Sequence, residues 1–372
     1  MPKYRINYSK DCYEAAKARR IAWREGRKSD RIPTLFHING APSSYNTREC
    51  IEDADKAVEA TVLSIAYQLE HFPEGDALPM FNLAYLGEGL IPSMFGAEQY
   101  IVDHCPPFTK GRVIMDLERD LPRLQRRIDP ERDGWGPRAR EATEKFIDAT
   151  GGAFPVSNVD IQSPYGVATK IVDNEALMLA MYDAPELVHE ILSITTQAII
   201  DTTYAMQKWA GDALAMNVVD PLPGGGITIY DDYISVITPR LSMEFCHPYN
   251  MRIFEEFGNG HLHTCGPYFE GFIDAVLKHS PVSVDMSCMR DPLTKTRADM
   301  RRFKRICDEH GVLINGSLGT YPTGQYDQTN QIPYDEAFLA EMGGDGRLLW
   351  SEYGPLEEGR KCLEMAKRCL SR

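Results

Sequence analysis

Three side chains with metal-binding chemistry fall within five positions of GNGHLHTCGP, residues 258–267: His261, His263 and Cys265. In a strand, residues two apart point to the same face, so this spacing predicts that the three stand side by side. Imidazole nitrogen and thiolate sulfur are donors that suit zinc. A structural zinc would need a second closely spaced pair, and the chain has no C-x-x-C or H-x-x-x-H complement. A catalytic zinc needs only three protein ligands and keeps one position open, so a single distant residue completes it. Glu352, at the end of the last predicted strand, is one candidate; Asp285 and Cys288, on the next strand after His263, are the others. The same residues also fit a half-buried strand that binds nothing.

A second group is made of carboxylates and amides. Asp160 and Gln162 alternate on one predicted strand, Asn217 and Asp220 follow Met216, and Asp231-Asp232-Tyr233 comes after Gly224-Gly225-Gly226, which is expected to be a flexible loop. Acidic residues gathered in a pocket raise one another's pKa and serve as general acid or base, which makes Asp160, Asp231 and Asp232 the candidate catalytic residues. Asp231 or Asp232 can equally cap the helix near Ile234. His37, Asn39 and Asn82, with Gln162 and Asn217, would form a polar wall for a small substrate. No G-x-S-x-G elbow, H-E-x-x-H helix, G-x-G-x-x-G turn after a strand or G-x-x-x-x-G-K-[ST] loop occurs, so serine hydrolysis, zinc proteolysis and dinucleotide or nucleoside triphosphate binding are not signalled.

Positioning these residues requires strands. Short apolar segments that run into polar residues begin at Ile32, Leu78, Phe154, Ala213, His261, Ser283, Val312 and Arg347, and helical patterns lie between them. Ile51 to Phe72 is expected to be one amphipathic helix; Asp173 and the Asp183-Ala-Pro start signal helix N-termini, and Arg297–His310 and Glu357–Cys369 fill later gaps. Alternation of strand and helix predicts an α/β fold. Because the polar residues sit at the C-terminal ends of many strands, a single (β/α)8 TIM barrel over residues 31–372 is expected, behind an N-terminal helical extension over residues 1–30. The basic cluster from Lys17 to Arg31 is expected to be a solvated helix face.

The 372 residues include 43% hydrophobic and 25% charged positions with no apolar run long enough for a membrane span, so no membrane partner is expected. A net charge of −14 disfavours nucleic acid. Nine scattered cysteines do not form a disulfide framework, and the first residues lack a secretory signal, so a cytoplasmic protein with reduced thiols is expected.

ISVITPRLSMEFCHPYNMRIFEEFGNGHLHTCG and LAYLGEGLIPSMFGAEQYI resemble the uroporphyrinogen decarboxylase superfamily, in particular the branch of zinc-dependent methyltransferases that work with corrinoid proteins. The resemblance implies a (β/α)8 barrel, a homodimer, and zinc held by the His-x-Cys pair, here His263 and Cys265, with a later cysteine. RLLWSEYGP has no cysteine, and Glu352 stands about where that ligand is expected. The implied activity is transfer of a methyl group between a small donor or thiol and the cobalt of a corrinoid (cobalamin) on a separate partner protein. RIPTLFHINGAPSSYN offers few cations for a polycarboxylate, which disfavours tetrapyrrole decarboxylation. A metal-free decarboxylase acting through the carboxylates is the alternative, and a non-catalytic ligand receptor is the third class.

Overall fold

The computed structural model describes residues 3–38, 43, 45–124, 127–264, 272–287, 297–318 and 335–369. Their strands are β1 (Thr34–Ile38), β2 (Glu98–Tyr100), β3 (Phe108–Lys110), β4 (Val156–Ser157), β5 (Leu214–Ala215), β6 (Thr228–Tyr230), β7 (His261–His263), β8 (Ser283–Ser287), β9 (Leu313–Ser317) and β10 (Leu348–Gly354). Apart from the antiparallel hairpin of β2 and β3, the strand pairs are parallel and helices separate them, which is the α/β organisation expected of a (β/α)8 barrel. The helix Lys10–Arg24 precedes β1. No helix among the described residues is long and apolar enough to cross a membrane.

The chain divides into two compact units. The first comprises residues 1–5, 43–62 and 80–259; the second comprises 6–42, 63–79 and 260–372.

In the second unit the strands run β1, β10, β9, β8, β7, all parallel. Near-continuous apolar runs, such as LLW in β10 and LI in β9, suit strands buried on both faces. Helix Leu356–Cys369 buries Gly359, Cys362, Leu363, Ala366 and Cys369, a spacing of three and four that gives one apolar stripe. Gly359 lets that helix approach β1, since a Cβ there would lie 2.8 Å from the buried Phe36 ring. Helix Arg297–Glu309 buries Met300, Phe303 and Cys307 by the same periodicity.

The basic cluster near the N-terminus is only partly solvated. Arg31 is buried because Asp76, itself fully buried, accepts from its Nη2 at 3.0 Å, from Arg19 at 3.2 Å and from the backbone N–H of Thr34 at 2.7 Å. Arg20 is buried as well, with its guanidinium 5.5 Å from the Trp23 ring. A buried cation persists only with such pairing, and here the pairing ties the residues before β1 to the segment around Asp76.

In the first unit, β4 pairs with β5, and Phe81 bridges Val156 in parallel. The segment from Leu78 thus contributes one bridge rather than a full strand, because Asn82 turns the chain into a short 3-10 helix at Leu83–Leu86 by accepting from Ala84 N–H. The expected helix from Ile51 is two helices, Thr47–Glu52 and Ala54–His71. Asp53 separates them: its extended backbone ends the first, and its carboxylate accepts from Asp55 N–H at the start of the second. Asp173 caps helix Asn174–Asp183, and Pro185 opens the long helix Pro185–Ala210, as the sequence signals indicate.

Two glycines of the run are closely packed, while Gly224 is exposed. A Cβ on Gly225 would lie 2.4 Å from Asp220 O, and one on Gly226, whose φ is +69°, would lie 2.1 Å from Asn259 O. Asn217 orders the same loop by donating to Gly225 O and accepting from Val219 N–H, Asp220 N–H and the Thr228 hydroxyl. Gly226→Ala is therefore expected to lower stability by at least about 1–2 kcal/mol from the left-handed backbone alone; urea denaturation of the two proteins checks this.

Candidate metal centre

The second unit gathers its polar side chains by strand register. His261 on β7 pairs with Ser283 on β8, and Asp285 on β8 pairs with Asn315 on β9. Since alternate residues share a face, His261 and His263, then Ser283 and Asp285, then Asn315 form one patch across three adjacent strands. Ser283 Oγ is 2.9 Å from His261 Nδ1. Asp285 Oδ2 is 2.5 Å from His263 Nδ1, and Asn315 Nδ2 donates to Asp285 Oδ1 at 2.9 Å. His261 is fully buried and Asn315 nearly so, whereas His263, the last residue of β7, and Asp285 are half-buried.

The donor atoms of His261, His263 and Asp285 lie within 4.8 Å of one another, and this is the one such group of three among the described residues. His261 Nε2 is buried with no hydrogen-bond partner; it lies 3.1 Å from Asp285 Oδ1, but off the line a hydrogen bond needs. If an ion takes Nε2, Nδ1–H is free to donate to Ser283 Oγ. Burial works to raise the Asp285 carboxyl, but the imidazoles of His261 and His263 outweigh it and hold Asp285 well below the usual carboxylate range. Two imidazoles, one with a buried nitrogen that lacks a hydrogen-bond partner, and an anionic carboxylate fit zinc or a similar divalent ion.

The structure thus brings His263 together with His261 and Asp285. Glu352 does not join them: on β10 its carboxylate accepts from Ser317 Oγ at 2.9 Å, Trp350 Nε1 at 2.8 Å and Leu318 N–H at 3.2 Å. Cys265, Cys288 and Asn39 lie outside the described residues. His37 is exposed on β1, stacked on Tyr353 with ring centroids 4.7 Å apart.

The other expected site residues belong to the first unit. Gln162 is buried and donates to Asp160 at 2.8 Å, and it bridges Tyr230 at the end of β6. Asp231 follows β6 and is fully buried. It makes no side-chain cap; instead it accepts from Ser163 Oγ and Asn250 Nδ2, each at 2.7 Å. Burial pushes its pKa up to about 6, against the pull of those two donors. Asp232 is half-buried in the short helix Asp232–Val236. Asn82 is exposed at its 3-10 cap, and Asn217 is taken up by the glycine loop.

Sequence reasoning missed Ser283, Asn315, Ser163 and Asn250. The signal for the first two was a polar residue at alternate positions of neighbouring strands, SVD and LIN beside HLH, which becomes legible only when the register is known.

Comparison with known proteins gives a family and a fold. A methyltransferase from Methanosarcina mazei has a similar structure, with a TM-score of 0.65 at 16% identity, covering 95% of this chain and 98% of that one. At that identity the likeness establishes the shared fold alone. A B12-independent methionine synthase from Shewanella sp. W3-18-1, solved in complex with selenomethionine, gives a TM-score of 0.46 at 10% identity over 92% of this chain and 97% of its own, too low to carry an argument. No curated protein sequence matches. The sequence pattern of the family described as uroporphyrinogen decarboxylase (URO-D) matches residues 15–301, most of the chain, and the protein belongs to that family.

Proposed function

We propose that the protein is a zinc-dependent methyltransferase that moves a methyl group between a small donor or thiol and the cobalt of a corrinoid carried by a separate protein. The observation that carries the reading is the His261–His263–Asp285 group with its orphaned nitrogen. The fold shared with the Methanosarcina mazei methyltransferase is consistent with it. His261, His263 and Asp285 would hold the ion; if Cys265, the thiolate ligand that the family resemblance implies, also binds, it would take the place of one of them so that a position stays open for the substrate. Zinc supplies a Lewis acid that lowers the pKa of a thiol or polarises the heteroatom bearing the methyl group. Asp285 brings a negative charge that offsets part of the cation, and His263, half-exposed at the end of β7, marks the side from which a small molecule reaches the centre.

The test is methyl transfer from methylcob(III)alamin to a panel of thiols, which releases the methyl thioether, cob(I)alamin and a proton, and the reverse transfer from methyl thioethers to cob(I)alamin, each followed by the cobalamin absorption spectrum. Zinc-dependent transfer is expected, abolished by a chelator and restored by zinc. Transfer that proceeds equally without zinc contradicts the reading.

The decarboxylase alternative is favoured by one observation, the buried Asp231 with its pKa near 6, a value suited to proton delivery at neutral pH. It requires that Asp231→Asn abolish release of carbon dioxide from a small acid while His263→Ala leaves that release intact.

A further inference from the structure

We infer that Ser283 and Asn315 are positioning residues of the metal centre, Ser283 fixing the ring of His261 and Asn315 fixing the carboxylate of Asp285. This rests on the reading of His261, His263 and Asp285 as metal ligands.

Ser283 opens β8 and Asn315 lies inside β9, each beside buried apolar residues. Ser283 adjoins Val284 on β8, and Asn315 follows Leu313 and Ile314 on β9; Val284, Leu313 and Ile314 are all buried. Ser283 is 1% exposed and Asn315 is 8% exposed. A buried hydroxyl or carboxamide costs free energy unless it is bonded, so its presence in such a strand calls for a partner. In both cases the partner is the residue directly across the register: His261 for Ser283, Asp285 for Asn315. Parallel pairing thus delivers one orienting group beside each of two ligands.

The bonds are of the kind that set ligand geometry. An imidazole that binds a metal through one nitrogen needs the other held, and the Ser283 contact at Nδ1 leaves Nε2 as the free donor. Asp285 is a shared carboxylate, with Oδ2 beside His263 and Oδ1 beside both His261 and Asn315. The Asn315 amide stops that carboxylate from turning about its own axis to satisfy the imidazoles alone.

Asn315 uses its amide differently from Asn217. Asn217 uses both ends of its amide, donating once and accepting three times. Asn315 donates to Asp285, but its own Oδ1 is buried without a hydrogen-bond partner. Turning the amide over would set oxygen against the carboxylate, so the orientation serves Asp285 at the expense of the carbonyl. Asn250 is used in the same way against Asp231, so the pattern marks an amide committed to a carboxylate, and the strand register is what places Asn315 beside a candidate ligand.

The test uses the full chain, with Ser283→Ala, Asn315→Leu and the conservative Ser283→Thr. Zinc affinity is read by competition with a chromogenic chelator, and ligand geometry by the visible spectrum of the cobalt(II)-loaded protein. Ser283→Ala and Asn315→Leu are each expected to weaken zinc binding about 10- to 100-fold and to shift the cobalt bands. Ser283→Thr, which keeps the hydroxyl, is expected to stay within a few-fold of the wild type. Asn315→Leu removes an unpaired buried carbonyl and also the donor to Asp285 Oδ1, so a modest fall in the melting temperature of the metal-free protein is expected; the cobalt bands, which stability alone does not move, separate the two effects. Wild-type zinc affinity and cobalt spectra in both variants would overturn the inference and leave the metal centre standing. Failure of the wild-type protein to bind zinc or cobalt would remove the centre and the inference together.

Discussion

Replacing His263 with alanine is expected to weaken zinc binding by about two to three orders of magnitude and to take methyl transfer below detection. Apparent zinc binding free energies of roughly 10–16 kcal/mol spread over a four-coordinate shell assign about 2.5–4 kcal/mol to each ligand, and about 1.4 kcal/mol is a factor of ten. His263 is half-exposed at a strand end, so its loss leaves no large cavity, but it also takes the imidazole away from Asp285 Oδ2, so the metal-free variant is expected to unfold at a modestly lower denaturant concentration. Chelator competition with parallel urea denaturation separates the two effects. An unchanged zinc affinity would take His263 out of the centre.

The second large effect concerns stability and pH. Asp231 titrates near 6 in the folded protein against 3.8 for an unperturbed carboxyl, because burial penalises its charge more than Ser163 and Asn250 favour it. As pH rises from about 4, the unfolded chain gives up this proton first, so stability falls through the window from about 4 to 6 and stays lowered above it. The shift of about two pKa units corresponds to about 3 kcal/mol. Asp231→Asn removes the charge. Asn250, whose Oδ1 has no hydrogen-bond partner, can turn its amide over to accept from the new side chain. The variant should therefore lack this contribution, and the difference in unfolding free energy between variant and wild type should change by about 3 kcal/mol between pH 4 and 7. Urea titrations at several pH values measure it; parallel pH curves for the two proteins would contradict the assignment.

What could be read in the sequence follows from how local each signal is. Histidines two apart on a strand share a face whatever the rest of the fold does, so the His261–His263 pairing was legible in HLHT. The choice among Glu352, Asp285 and Cys288 was not, because it depends on which strand lies beside β7 and in what register. That register sets β8 against β7 and puts Asp285 among the histidines, while Glu352, on β10, is held by Ser317, Leu318 and Trp350. The helix caps at Asp173 and Pro185 were equally local and equally visible. Arg31 looked like one more surface cation because its partner Asp76 is 45 residues away and nothing nearby announces the pair. The burial of Asp231 is tertiary in the same sense: one of its donors comes from Ser163, the other from Asn250. The close packing of Gly225 and Gly226 was not legible for a related reason, since a glycine that permits close approach is spelled like one that permits motion.

The central claim is that His261, His263 and Asp285 hold a metal ion. The most direct measurement is the metal content, by plasma mass spectrometry, of the wild-type protein and Asp285→Ala, both purified without added metal and again after zinc loading and desalting. Close to one zinc per chain in the wild type, falling well below that in Asp285→Ala while the circular dichroism spectrum is kept, is the expected result. Zinc-free wild-type protein even after loading, or full zinc retained by Asp285→Ala, would contradict it.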